Sequence, residues 1–138
     1  MVSVKFLMMV KFKVSNERPS EAQCKSTLSS IADALYVIGG KWKLRIIVAL
    51  KDDNKRFNEL HRTIEGISAK VLSAELKDLE LNGFIRRNVF TGTPVVVEYE
   101  LAEYCETLND VLHSLRVWGA MHRETVKKSM RRKKAVVV

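Results

Sequence analysis

A mainly α-helical chain with one small β-hairpin is predicted by three observations on this sequence of 138 residues. Apolar residues recur at three- and four-residue spacing along most of it, the pattern of amphipathic helices. Strict alternation occurs in one place, the second half of residues 95–101, where Val97, Tyr99 and Leu101 face one way and Glu98 and Glu100 the other. Glycines punctuate the periodic stretches at Gly39-Gly40, Gly66 and Gly83, where they can end helices and form turns.

Residues 1–14 are apolar with Lys5, Lys11 and Lys13 interspersed. Their longest uncharged run, residues 6–10, is far too short to span a membrane. No small-residue cleavage pattern follows, so a signal peptide is not expected. The segment reads as a stray strand, an arm that packs on a partner, or an extension from an early start codon. Residues 15–20 form a polar linker. A first helix is expected from about Ser26 or Thr27, with Leu28, Ile31, Leu35 and Ile38 as its stripe and Gly39-Gly40 as its stop. The second helix, residues 41–50, is mostly core, and Trp42 reads as a packing residue rather than a base-stacking one. Asp52-Asp53-Asn54 is a turn.

Phe57, Leu60 and Ile64 make the short stripe of a third helix, ended by Glu65-Gly66. A fourth helix follows within a few residues, the tight connection of a helix-turn-helix. Ser68 is its expected N-cap, with Ile67 and Leu72 as a hydrophobic staple. Val71 stands where a capping-box Glu would sit. Leu72, Leu76 and Leu79 form the buried stripe, and Asn82-Gly83 is the stop. Lys70, Ser73, Ala74 and Lys77 lie on the opposite face. They are small, polar or basic, as contact with phosphates and base edges requires.

Residues 84–90 are rich in strand formers, Thr91-Gly92-Thr93-Pro94 is a turn, and residues 95–101 return. A helix-turn-helix followed by a hairpin is a winged helix-turn-helix. Its second helix, about residues 68–82, is shaped for a major groove, and its wing, about residues 85–101, can reach flanking DNA. Arg86 and Arg87 enter the wing, and Thr91 and Thr93 stand at its tip. Lys41, Lys43, Arg56 and Ser68 complete the candidate DNA-contacting set.

The last helix is expected from about Tyr104 to at least Val126. Leu108, Val111, Leu112, Leu115, Trp118 and Met121 make a long apolar stripe. A small winged helix has little surface left to cover it, and a second copy of the same stripe would do so. Leu35 and Ile38 of the first helix add to this dimer surface. The expected organisation is an arm and linker over residues 1–25, one domain over residues 26–126 with a C-terminal dimerisation helix, and a basic tail over residues 127–138, a type of run that is usually disordered and solvated.

Several motifs in order resemble the HxlR-type winged-helix transcriptional regulators of bacteria and archaea, over roughly residues 31–119. They are Gly39-Gly40-Lys41-Trp42; Arg56-Phe57 with Glu59-Leu60; and Gly66-Ile67-Ser68 with Lys70 and Leu72. Leu76-Lys77 with Leu79-Glu80, Gly83-Phe84-Ile85, Val97-Glu98-Tyr99 with Leu101, and Trp118-Gly119 continue the series. The resemblance implies a homodimeric DNA-binding repressor or activator without catalytic activity, joined by its first and last helices. Many members of that family carry a redox-sensing cysteine where this chain has Leu28-Ser29. Cys24 lies further upstream, and Cys105 occupies a position where the family tends to have Gly.

Composition agrees with one soluble domain: 46% of residues are hydrophobic and 29% charged. The net charge is +8, unevenly placed. Residues 127–134 carry six cations and no acid. Residues 41–87 hold 11 basic and 7 acidic residues, whereas residues 88–126 hold 2 and 6. Positive charge therefore sits on the helix-turn-helix half, which favours a polyanionic partner there. The tail can add sequence-independent phosphate attraction.

Cys24 and Cys105 share no metal-ligand spacing, and reduced thiols are the plain reading, with redox sensing the alternative. His61, His113 and His122 read as surface or packing residues. No phosphate-binding Gly loop, metal cluster or nucleophile–base motif stands out, so no enzyme, metal or cofactor is expected. The expected partners are an inverted-repeat double-stranded DNA operator and a second copy of the chain, in the cytoplasm at the nucleoid, with no membrane. A small-molecule or redox effector is left open. A nonspecific architectural nucleic-acid binder and a winged-helix protein-interaction module are the alternatives.

Overall fold

The computed structural model describes residues 18–137; the apolar segment 1–14 and residues 15–17 of the linker lie outside the described residues. Helix α1 (Glu21–Ile38) leads into α2 (Lys43–Asp52), α3 (Phe57–Thr63) and α4 (Ala69–Leu81). Strands β1 (Ile85–Phe90) and β2 (Val96–Leu101) follow, then a 3-10 turn (Glu103–Leu108) and the 28-residue helix α5 (Asn109–Val136). This is a winged helix-turn-helix with a long C-terminal helix. The chain divides into two compact units between Ala34 and Leu35.

The first unit contains most of α1, which starts earlier than Ser26. Ser20 and Gln23 form a capping box: Ser20 Oγ accepts the Gln23 N–H at 3.2 Å, and Gln23 Oε1 accepts the Ser20 N–H at 2.8 Å. The linker therefore ends in a helix-start signal. In the second unit, the α1–α2 turn demands glycine, since a Cβ on Gly39 would collide with the Leu35 carbonyl oxygen.

The core of the second unit gathers Ile46, Ile47 and Leu50 from α2, Leu60 from α3, and Leu72, Leu76 and Leu79 from α4. Phe84, Ile85 and Tyr99 close it from the hairpin. Fully buried side chains of this kind stabilise by about 1.5–3 kcal/mol each. Helix α4 is delimited as its sequence suggests. Ser68 Oγ accepts the Val71 N–H at 3.1 Å. At the other end, the Phe84 N–H donates to Leu79 O at 3.0 Å and the Gly83 N–H to Glu80 O at 3.1 Å, with Gly83 at φ +79°. That pair of bonds is a Schellman stop, and the left-handed residue it needs is the glycine.

The hairpin is antiparallel, with Arg86 opposite Glu100 and Arg87 opposite Tyr99. Lys55 adds one bridge, exchanging backbone hydrogen bonds with Tyr99 at 2.8 and 3.1 Å. Glu98 and Glu100 are half-buried rather than fully wet. Glu100 takes Arg86 Nε at 3.1 Å and Asn54 Nδ2 at 3.3 Å.

Two features at the C-terminal end depart from the sequence reading. The 3-10 turn precedes α5, and its Leu108 and Cys105 are core residues. Helix α5 then continues through the basic run to Val136, so the run is helical. No residue of α5 is buried; Leu112 is half-buried against the core, and residues 113–136 are exposed. Among the described residues no helix is long and apolar enough to cross a membrane.

Candidate nucleic-acid interface

Lys70, Ser73, Ala74 and Lys77 all lie on the exposed face of α4, opposite the buried leucines. The arrangement follows from the helical period: residues three and four apart share a face, so the three leucines leave the intervening positions to solvent. Gly66, at φ +86°, makes the α3–α4 turn and keeps α4 on this side of the domain.

In a strand, successive side chains point to opposite faces. Arg87 therefore shares the face of Ile85 and Tyr99, which packs toward α4, and Arg86 points the other way. Ser73 and Lys77 of α4 meet Arg87 across a cleft of ≈ 370 Å³, which Glu80 and Tyr99 also line. Two cations and a hydroxyl thus converge where the fourth helix meets the wing. Tyr99 and Glu80 were not among the expected site residues. Tyr99 could have been found from the hairpin register, which sets it directly opposite Arg87.

The remaining candidates fall in different places. Thr91 and Thr93 are exposed at the hairpin tip, and Arg56 is exposed at the N-terminus of α3. Ser68 uses its hydroxyl as the α4 cap. The Lys41 ammonium sits 4.8 Å from the centre of the Trp42 ring, with the Arg45 guanidinium at 5.3 Å. Trp42 itself is half-buried against the core.

Lys43 is engaged within the domain. Its Nζ lies 2.7 Å from Glu75 Oε2 and 3.4 Å from Asp78 Oδ2, and only 12% of its side chain is exposed. The hydrogen bond to Glu75 outweighs the opposing effect of burial and holds the ammonium pKa above its ordinary value. This charge is spent inside the domain, tying α2 to the acidic flank of α4.

The three histidines are accounted for by local contacts. His61 stacks on Phe57 at 6.4 Å, His113 Nδ1 lies 3.5 Å from an Arg116 guanidinium nitrogen, and His122 stacks on Trp118 at 4.9 Å. Cys24 is exposed and Cys105 buried. Burial pushes the Cys105 thiol pKa up, partly countered by Lys51.

The expected dimer residues also sort into two groups. Leu108 belongs to the core, and Ile38 and Leu112 pack against it. Leu35, Val111, Leu115, Trp118 and Met121 remain exposed.

Residues 37–127 match the family described as HxlR-like helix-turn-helix. The chain is 44% identical over 93 residues to the HTH-type transcriptional regulator YtcD of Bacillus subtilis, covering 67% of this chain and 74% of that one. It is 39% identical over 95 residues to an HTH-type transcriptional regulator of Methanothermobacter thermautotrophicus, covering 69% and 72%. Among solved structures, the redox regulator HypR in its reduced form superposes with a TM-score of 0.67 at 34% identity, covering 72% of this chain and 98% of that one.

Proposed function

The chain belongs to the HxlR-like helix-turn-helix family, and on that premise we propose that it is a sequence-specific transcriptional regulator that binds duplex DNA as a homodimer. It is a DNA-binding regulator rather than an enzyme. Helix α4 enters the major groove, and the hairpin lies against the flanking backbone. The observation that carries this reading is the convergence of Ser73, Lys77 and Arg87 at the junction of helix and wing, beside the exposed Lys70. Lys70, Ser73 and Lys77 are the base-facing candidates; Arg87, Arg56, Lys41 and the tip threonines hold phosphates.

Dimerisation is supported by the apolar residues that α5 leaves uncovered, and by a groove of ≈ 660 Å³ floored by Leu44, Val48, Ala49, Ile64, Leu112 and Leu115. A two-fold dimer would present two recognition helices to half-sites about 34–36 Å apart, so the operator is an inverted repeat. The work of such a protein is on chromosomal DNA in the cytoplasm. HypR is described as a redox regulator. Of the two thiols here only Cys24 is exposed, so any redox input would enter there.

Selection of bound duplexes from a random pool tests the reading. The expected result is one inverted repeat that outcompetes excess random DNA. Equal affinity for every duplex, lost with salt, would instead describe an architectural binder. No duplex binding at physiological salt would leave a protein-interaction module.

A further inference from the structure

The densest run of unbalanced charge in the sequence lies outside the helix-turn-helix. Lys127, Lys128, Arg131, Arg132, Lys133 and Lys134 are all exposed, and all are helical because α5 runs to Val136. At 100° per residue, five of them (all but Lys133) fall within one sector of about 160°. Val126 and Met130 lie on the other side. Only Lys127 has an acidic neighbour, Glu124 Oε1 at 3.5 Å; the other five cations form no ion pair among the described residues.

A helix C-terminus favours cations, but that effect fades beyond the last turn. It accounts for Lys133 and Lys134 and not for Lys127 and Lys128, which stand two turns further back. Instead, like charges four apart, Lys127 with Arg131 and Lys128 with Arg132, repel one another along the helix. A polyanion laid along the sector would relieve that repulsion. The segment begins about 16 Å beyond the last part of α5 that lines the domain's groove, at Arg116. All of it but Lys127 also lies beyond the residues matched to the family.

We propose that this end of α5 is a second, sequence-independent DNA-binding element that grips duplex phosphates outside the half-sites. The proposal rests on the reading of the chain as a duplex-DNA regulator, which places a phosphate lattice within reach. A membrane surface fits less well, because among the described residues the segment presents Val126, Met130, Ala135, Val136 and Val137 as apolar residues and no aromatic one.

The test replaces all six cations with Gln, which keeps helix propensity close to that of Lys and Arg. Affinity of the full chain is measured against salt on the selected operator and on random duplex of equal length. Total helix content of variant and wild type is compared by circular dichroism. The expected result is a salt slope shallower by about 2–4 units per chain. Affinity should fall by the same factor on both duplexes, with the preference between them unchanged. A second arm extends the operator by 15 base pairs on each side: the wild type gains affinity from the flanks and the variant does not. A slope within one unit of wild type, or an equal gain from the flanks, overturns the proposal while leaving the operator preference, and hence the regulator reading, intact. A wild type without operator preference whose duplex binding vanishes in the variant would keep the arm and remove the regulator. Binding of the wild type to anionic phosphatidylserine vesicles but not to duplex DNA would overturn both.

Discussion

The Lys43 ammonium lies 2.7 Å from the Glu75 carboxylate, joining the second helix to the fourth. Asp78 is also within 3.4 Å, so this one cation offsets part of the negative charge on that flank of α4. Lys70 and Lys77 form no ion pair among the described residues and stand exposed on that helix, with Glu80 on the same element.

Replacing Lys43 by Met should destabilise the fold by about 1–3 kcal/mol, because Glu75, with 23% of its side chain exposed, is left without its counter-charge. Adding Glu75→Gln should recover part of the loss. Urea unfolding measures both. The pH dependence has a fixed sign: a lysine whose folded pKa is raised contributes fully below its unfolded value of about 10.5. The gap between wild type and Lys43→Met should therefore hold through neutral pH and close as pH rises past that value toward the folded pKa. A gap that widens with alkaline pH would contradict the pairing.

Lys70, Ser73 and Lys77 are exposed, so changing all three to Ala should leave the urea midpoint nearly unchanged. Operator affinity should fall by about 1–3 kcal/mol for each base contact removed, with relaxed specificity. Competition against random duplex reads both effects. Unaltered operator affinity in the triple variant would take α4 off the DNA.

The two wing arginines should behave differently. Arg87 faces α4 across the cleft, whereas the Arg86 guanidinium is held by Glu100 on the opposite face. Arg87→Ala should weaken operator and random duplex alike and reduce the salt slope by about 0.9. Arg86→Ala should change the slope less. Equal effects would mean that the Arg86–Glu100 pair opens on binding.

Cys105 is 2% exposed, and its thiol pKa is raised by burial, so little reactive thiolate forms at neutral pH. Iodoacetamide should modify Cys24 in the folded protein and Cys105 only in urea, as read by peptide mass spectrometry. Rapid native labelling of Cys105 would show that the hairpin–α5 junction opens.

The helix-turn-helix and wing were legible in the sequence because each signal there is local. The leucine period of α4, the Ser68 cap, the Gly83 stop and the Val97–Tyr99–Leu101 alternation all act within a few residues. The start of α1 was also local, in the Ser20–Gln23 box, but the eye follows the apolar stripe, which begins later. The pairing of Lys43 is not legible in the sequence, because its partners are more than thirty residues away and acidic residues on α4 do not announce which cation they meet. Leu108 was assigned to the dimer stripe because helical spacing continues across the 3-10 turn, although the turn rotates that side chain into the core. Splitting Arg86 from Arg87 required only the period of a strand.

The remaining prediction concerns assembly. Leu112 packs against the core, so a charge there would damage the domain itself and test little. Leu115 and Trp118 are 48% and 58% exposed and lie one turn apart on α5, next to Met121 and Val111. An apolar surface of this kind on a folded chain calls for a partner, and a second α5 supplies one of matching character. Leu115→Asp and Trp118→Asp should each place an unpaired carboxylate in the interface and shift the protein to monomers, while the urea midpoint of the winged helix changes little. Monomers should bind a single half-site about as before but lose about 10²–10⁴-fold on the full inverted repeat, because the second half-site no longer benefits from effective concentration. Light scattering and operator titration are the two measurements. A wild-type monomer at micromolar concentration that still holds the full repeat tightly would remove the dimer from this account.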